Sequence, residues 1–439
     1  MWPYLPQLLA RPVPRYTSFP TAAEFHAGIG PAAMEAALDA IARDTAISLY
    51  VHIPYCREIC WYCGCNTGAA NRVARLSAYL EALAAEIDLL AVRIGGRVRI
   101  ARIAFGGGSP NAVAPAELAA IVARLRDRFD APAPLLSIEL DPRSFDGGWM
   151  EMLATTGFTR ASLGVQSFDP AVQARIGRVQ PAELIARVTR DLRTAGITSL
   201  NFDLMYGLPG QDLDELEASL AAALALAPDR LAVFGYAHVP HLLPRQRRID
   251  ADRLPDQYAR FRQAAFAHHL LSGAGYRPIG FDHFARPGDP LAVAAEQGQV
   301  FRNFQGFTDD PAEVLIGLGA SAISQFPGLL VQNDKSAGRY RMLAAAGRFP
   351  VERGIVRSGE DQARGRIIAD LLCRGEARVP PSRFPDARAG LAPFETAGLL
   401  DWAGDRLTLR PEALPYARAI AAAFDPYRQQ DVRRFSSAV

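Results

Sequence analysis

The sequence predicts an α/β protein built on a parallel sheet, with an extended N-terminal arm and a small, mostly helical C-terminal domain. Three observations predict it. Short apolar, β-branched runs alternate with helical periods from residue 36 onward. Six of those runs are too apolar to leave one sheet face in water. The alternation stops after about residue 350. Strands alternating with helices imply right-handed crossovers and helices outside the sheet. An open doubly wound sheet and a full or partial (β/α) barrel both fit that pattern. The expected divisions are an arm over 1–35, a catalytic barrel over 36–350 and a tail domain over 351–439.

The arm is rich in proline and aromatic residues. Its phrase Pro14-Arg15-Tyr16-Thr17-Ser18-Phe19-Pro20-Thr21 reads as extended, because the residue before each proline is pushed out of the helical region. Ile47 to Pro54 reads as a buried strand, Leu76 to Val92 as a helix, and Arg102 to Phe105 as a strand ending in Gly106-Gly107-Gly108. Pro115 to Arg128 is helical, with proline at the first position, where a missing N–H costs nothing. Leu135 to Leu140, Arg160 to Gln166, Ser199 to Tyr206 and Arg230 to Ala237 read as strands. Helices fall between them at Gly148 to Thr155, near 170–177 and 181–195, and at Leu213 to Ala227; another follows at Leu254 to Gly273. In the tail, Glu360 to Arg374, Arg388 to Leu399 and a stretch near 411–423 read as helices, and residues 400–409 as a hairpin turning at Ala403-Gly404-Asp405.

Composition sets outer limits. The 439 residues are 49% hydrophobic and 21% charged, as in a globular protein rather than a disordered chain. A net charge of +2, from 48 basic and 46 acidic side chains, excludes nucleic-acid binding driven by bulk charge. Lys335 is the one lysine, so nearly every cation is a guanidinium, a group suited to carboxylates and phosphates. No apolar run reaches the ~20 residues a membrane span needs. The start, Met1-Trp2-Pro3-Tyr4-Leu5-Pro6, lacks the regions of a signal peptide, so a cytoplasmic location is expected.

The chemistry concentrates in Cys56-Arg57-Glu58-Ile59-Cys60-Trp61-Tyr62-Cys63-Gly64-Cys65. This segment directly follows the first strand, and ligands bind at the C-terminal ends of parallel strands. Clustered cysteines indicate a metal site rather than a disulfide framework. Three thiolates spaced C-x3-C-x2-C can wrap a [4Fe–4S] cluster and leave one iron open. A closed cluster with Cys65 as fourth ligand and a structural zinc site are the alternatives. Cys373 is expected to be a packed core residue.

The loop and its surroundings resemble the radical S-adenosylmethionine enzymes, and among them the oxygen-independent coproporphyrinogen III dehydrogenases. The resemblance rests on Tyr50-Val51-His52-Ile53-Pro54, the cysteine loop with its extra Cys65, Arg15 to Thr21, Gly106 to Pro110 and Gly164 to Phe168. Asp203 to Pro209, Gly280 to Ala285 and Arg302 to Phe307 carry it further. It spans residues 14–330, with Phe19 where tyrosine is common and Ser109 where threonine is common.

The resemblance implies a (β/α) barrel of the radical S-adenosylmethionine type, with Cys56, Cys60 and Cys63 holding the [4Fe–4S] cluster. It implies S-adenosylmethionine, two molecules in all, contacted by Tyr50, Tyr62, Gly107, Gly108, Ser109, Glu139, Gln166, Arg178, Asp203, Ala237 and Ile323. Cys65 and Gln305 are the catalytic candidates, and His52 a supporting residue. The implied reaction converts two propionates of coproporphyrinogen III to vinyl groups in haem biosynthesis, giving protoporphyrinogen IX. A porphyrinogen with four propionates calls for arginine forks, with Arg15, Arg245, Arg247, Arg248 and Arg302 as candidates. An electron donor such as a flavodoxin or ferredoxin is implied, and a monomer is expected. The competing readings are a haem-carrying, chaperone-like relative and another radical enzyme acting on a tetrapyrrole.

Overall fold

A computed structural model describes residues 2–380 and 383–430. Seven parallel strands form its centre: Thr45–Ile53, Val98–Gly107, Leu135–Leu140, Arg160–Gln166, Ser199–Tyr206, Arg230–Gly235 and Leu315–Leu318. The first six lie side by side in chain order, and the seventh pairs with the free side of the first. A sequential order with right-handed crossovers puts all the helices on one face. The other face curls into a lumen. The two edge strands of the 12-stranded sheet are not neighbours, so the barrel is partial. Strand order, which periodicity does not encode, decides between barrel and doubly wound sheet.

Helix boundaries follow local chemistry. In Pro115–Arg128 the Glu117 side chain accepts from the Ala114 amide at 2.9 Å. Asp212 and Glu215 form a reciprocal capping box on Leu213–Ala225. Gly157, at φ +77°, ends Gly147–Thr156 in the left-handed region. Beneath the helices the strands contribute Ile47, Ile103, Leu136, Leu163, Leu200 and Phe202, all fully buried. The lumen side alternates with them. In Leu135–Leu140, Leu136, Ile138 and Leu140 are buried, whereas Ser137 and Glu139 face inward.

Several elements depart from expectation. The helix Pro31–Asp39 crosses residue 35, because Pro31 starts an alanine-rich turn of good helix formers. Three antiparallel strands extend the sheet past the seventh: Ile323–Phe326, Leu329–Asn333 and Val351–Val356. The last lies beyond residue 350, and Glu352, Arg353 and Gly354 break its apolar run. Past the sixth strand come the short His283–Ala285 and Arg277–Ile279. The tail hairpin, Leu400–Ala403 with Arg406–Leu409, gains a third strand, Glu376–Arg378.

The arm joins barrel and tail. Leu9, Val13, Tyr16 and Phe19 share a core with Ile368, Leu371, Leu391 and Tyr416 of the tail. Tyr16 donates to Asp425 at 3.0 Å, and Leu5 N donates to the Tyr416 hydroxyl at 2.9 Å. Further along, His26 and Gly354 exchange backbone hydrogen bonds of 3.0 and 3.1 Å. Among the described residues no helix is long and apolar enough to cross a membrane.

Candidate active site

The cysteine loop leaves the first strand at its C-terminal end, over the mouth of the lumen. Tyr55–Cys56 pairs with Gly68–Ala69, so the loop is closed at its base. Its far side is held by Trp61, whose amide donates to Ile176 O at 3.1 Å. The Trp61 ring packs on Gly177, where a Cβ would lie 2.6 Å from it.

Each of the three predicted ligand thiols has a polar neighbour. Arg143 Nη2 and Arg178 Nη1 point at Cys60 Sγ from 3.3 and 3.2 Å. Thr67 Oγ1 donates to Cys56 Sγ at 3.1 Å, and the Cys65 amide to Cys63 Sγ at 3.4 Å. These donors favour thiolates. Burial pushes the Cys56 thiol up to about 11, whereas hydrogen bonding from Cys65 brings Cys63 down to about 6. Thiols on one loop with donors aimed at their sulfurs suit a cluster held by cysteine thiolates. Cys65 is exposed at the loop surface, beside Cys63. Cys373 lies in the tail, half-buried against the second core.

The glycine run at the end of the second strand is shaped by its neighbours. A Cβ on Gly106 would fall 2.6 Å from Glu139, and one on Gly107 2.6 Å from the His52 ring. Gly107 also has φ +115°, which a side chain rarely tolerates. Its amide donates to Glu139 Oε2 at 3.2 Å. Glu139 therefore faces backbone rather than the arginine a structural pairing would supply. Burial, then the neighbouring Asp203, pushes its carboxyl up to about 7. Asp203 accepts from Ser162 at 2.9 Å and Asn201 at 2.8 Å, and burial raises its pKa too. Two acids facing one cavity of about 360 Å³ form a natural seat for a ligand with hydroxyls or positive charge.

Arg178 and Gln166 converge at Gly164, where a Cβ would meet Arg178 Nη2 at 2.9 Å and Gln166 Nε2 at 3.1 Å. Gln166 sits at φ +68°, beside a register shift at the end of its strand. Burial opposes the charge of Arg178, but Tyr62, Asp141 and Cys60 outweigh it and raise the pKa. Tyr50 donates toward His52 Nδ1 across 3.2 Å and meets the Phe304 ring edge-on at 4.6 Å. Burial holds the His52 imidazole down at about 4, so it is neutral. Gly317, opposite Tyr50, would drive a Cβ to 2.5 Å from Ile323 O, which sets Ile323 alongside. Ser109 pairs with Asn111, and Gln305 lines the cavity. Ala237 lies on a loop where its carbonyl and that of Tyr62 both accept from Gln246 Nε2, at 3.0 and 2.9 Å.

Four neighbours escaped sequence reasoning: Thr67, Asp141, Arg143 and Gln246. The available signal was Asp141-Pro142-Arg143, charged residues immediately beyond a strand end. Asp141 binds Arg143 at 2.7 Å and Arg178 at 3.3 Å, aligning both guanidiniums on Cys60. Of the arginine run, Arg248 stacks on Trp61 at 5.4 Å and Arg245 donates to Thr67 O at 3.4 Å, so both brace the loop.

A partial (β/α) barrel with a C-x3-C-x2-C loop on its first strand defines a radical S-adenosylmethionine protein, and residues 50–223 match the model of the Radical SAM superfamily. Such proteins carry a [4Fe–4S] cluster and S-adenosylmethionine. The chain is 41% identical to the oxygen-independent coproporphyrinogen III oxidase of Bradyrhizobium diazoefficiens over 97% of both chains. It is 42% identical to that of Paracoccus denitrificans over 94% of both. The solved structure of coproporphyrinogen III oxidase (HemN) from Escherichia coli, a radical SAM enzyme, superposes with a TM-score of 0.90 at 34% identity, covering 97% of this chain and 99% of that one. The chain belongs to the family of oxygen-independent coproporphyrinogen III oxidases.

Proposed function

We propose that the protein converts coproporphyrinogen III to protoporphyrinogen IX by oxidative decarboxylation of two propionates to vinyl groups, in haem biosynthesis. The observation that carries this reading is the three-thiol loop following a strand end where His52 meets Gly107, whose amide bonds Glu139 of the lumen. Cys56, Cys60 and Cys63 hold the cluster, with Arg143, Arg178 and Thr67 bonded to their sulfurs. When bound, the cluster and S-adenosylmethionine would supply the one-electron chemistry that removes a hydrogen atom from a propionate β-carbon, the carboxylate then leaving as CO2 and the remaining electron passing to an external one-electron acceptor.

The chain's own residues bind and orient. Gly107 and Gly108 offer bare backbone to the cofactor, with Tyr50, Tyr62, Ser109, Ala237 and Ile323 around it. Glu139 accepts from ribose hydroxyls. Gln166, Arg178 and Asp203 serve a second S-adenosylmethionine. Gln305, which lines the cavity, belongs to the substrate side, and Cys65 is the other catalytic candidate, orienting a cofactor or exchanging a hydrogen. The electron comes from a flavodoxin or ferredoxin, and the protein works as a cytoplasmic monomer.

Anaerobic incubation with dithionite, S-adenosylmethionine and coproporphyrinogen III tests this. The expected products are 5′-deoxyadenosine and a tetrapyrrole lighter by two CO2 and their hydrogens. A Cys60→Ala variant loses iron and forms neither. Tight haem binding with no deoxyadenosine would overturn the assignment in favour of a haem carrier.

A further inference from the structure

A second concavity, of about 350 Å³, lies beside the cysteine loop and shares no lining residue with the lumen. Tyr55, Asn66 and Thr67 form its loop wall. Arg75 reaches it from the helix Val73–Ile94 and Arg341 from the helix Ala337–Ala345. Lys335 stands just before that second helix, and Asn66 Nδ2 donates to its carbonyl at 2.9 Å, tying rim to loop. Thr67 Oγ1 donates to Cys56 Sγ at 3.1 Å. One side chain therefore separates this concavity from a predicted cluster ligand.

The rim is basic and its charges are unspent. Arg75 and Lys335 are exposed and Arg341 half-buried. Among the described residues none of the three stands in an ion pair, whereas Arg339 beside them is bound to Asp334 at 2.9 Å. Glu352 is the acid that faces Lys335, and Arg353 opposes it. The Tyr55 hydroxyl is buried with no hydrogen-bond partner, and the charged groups that face it are Arg75 and Arg341. A buried donor left unmade is costly, and one set among cations suits an anionic oxygen. Val73 and Met342, 78% and 62% exposed, add apolar surface on the same two helices. Apolar contact within a charged rim is the anatomy of a protein interface. The opposite flank of the loop differs: there Arg245 and Arg248 are engaged in bracing it.

We infer that this face docks a small acidic one-electron carrier protein, whose surface carboxylates meet Arg75, Lys335 and Arg341 while Thr67 links the contact to Cys56. The inference rests on the reading of the loop as the seat of a cluster reduced one electron at a time. In that step the reduced carrier loses one electron and the cluster gains it; no bond forms or breaks.

The test uses the anaerobically reconstituted holoprotein with a flavodoxin and a ferredoxin as probes. Calorimetry measures binding, and electron paramagnetic resonance follows reduction of the cluster. At least one carrier binds, less tightly as salt rises. Arg75→Glu and Arg341→Glu each weaken that binding roughly tenfold and slow carrier-driven reduction in proportion. Reduction by dithionite, a small molecule that needs no docking face, stays within about twofold in both variants. Arg187→Glu makes the same charge change at an exposed position on the helix Ala182–Thr194 and leaves both readouts as in the native protein. Binding of neither carrier, full binding by the folded Arg75→Glu protein, or equal losses in Arg187→Glu would sink the inference. Products under dithionite with no carrier bound would remove the docking face and leave the function standing. Carrier binding lost in the rim variants, with no products under dithionite, would keep the face and fail the functional reading.

Discussion

Glu139 lies in the lumen with its carboxyl raised to about 7 by burial and the neighbouring Asp203. Below that value it is neutral; above it, it is an anion facing the cavity in which the proposed function seats S-adenosylmethionine. Affinity for S-adenosylmethionine should therefore rise several-fold between about pH 6 and about pH 8. Glu139→Gln should remove that dependence, and calorimetric titration of the reconstituted protein at both pH values measures it. A flat profile in the native protein would take Glu139 out of contact with the ligand. At this scale the three cysteines were readable because their spacing is itself the chemistry. Glu139, Gln166 and Asp203 stood out as polar residues in apolar strands. Thr67 and Arg143 were not readable, because what qualifies them is a distance across the fold to a sulfur.

Helix Val73–Ile94 is tied to the sheet by one buried acid. Glu86, 2% exposed, accepts from Gly319 N at 2.7 Å, Asn333 Nδ2 at 2.8 Å and Tyr340 OH at 2.6 Å. Burial outweighs these bonds and raises its pKa to about 7. A raised folded-state pKa stabilises fully below the unfolded value, near 4.5, and that stabilisation is lost as pH climbs through about 7. Urea denaturation should show stability falling over this window, with a shallower fall in Glu86→Gln. The slope that remains belongs in part to Glu139. Glu86→Ala should cost about 2 to 4 kcal/mol at low pH, since it strands three buried donors, and less as pH climbs through about 7. The strands Leu135–Leu140, Arg160–Gln166 and Ser199–Tyr206 were legible to the residue, because burial under helices imposes an apolar run with sharp ends. The antiparallel strands after residue 318 were not: they are four to six residues long, and pairing rather than pattern defines them.

For the whole molecule, the alternation read from the sequence led to the barrel, while strand order and the docking of the arm emerged only in three dimensions. The arm looked like a loose extension, because proline-rich stretches carry no period. Yet it fills the core between tail and barrel, where Leu9 and Val13 are fully buried. Removing residues 2–13 should lower the thermal midpoint by several degrees and open the tail to protease, as followed by melting and limited proteolysis. An unchanged midpoint would reduce the arm to decoration.

Because the barrel stays open, its last strand, Val351–Val356, would present bare amides and carbonyls to any passing chain. The exchange between His26 and Gly354 occupies part of that rim with the protein's own backbone. The N-terminal segment thus takes two of the edge strand's backbone groups out of reach of any further strand.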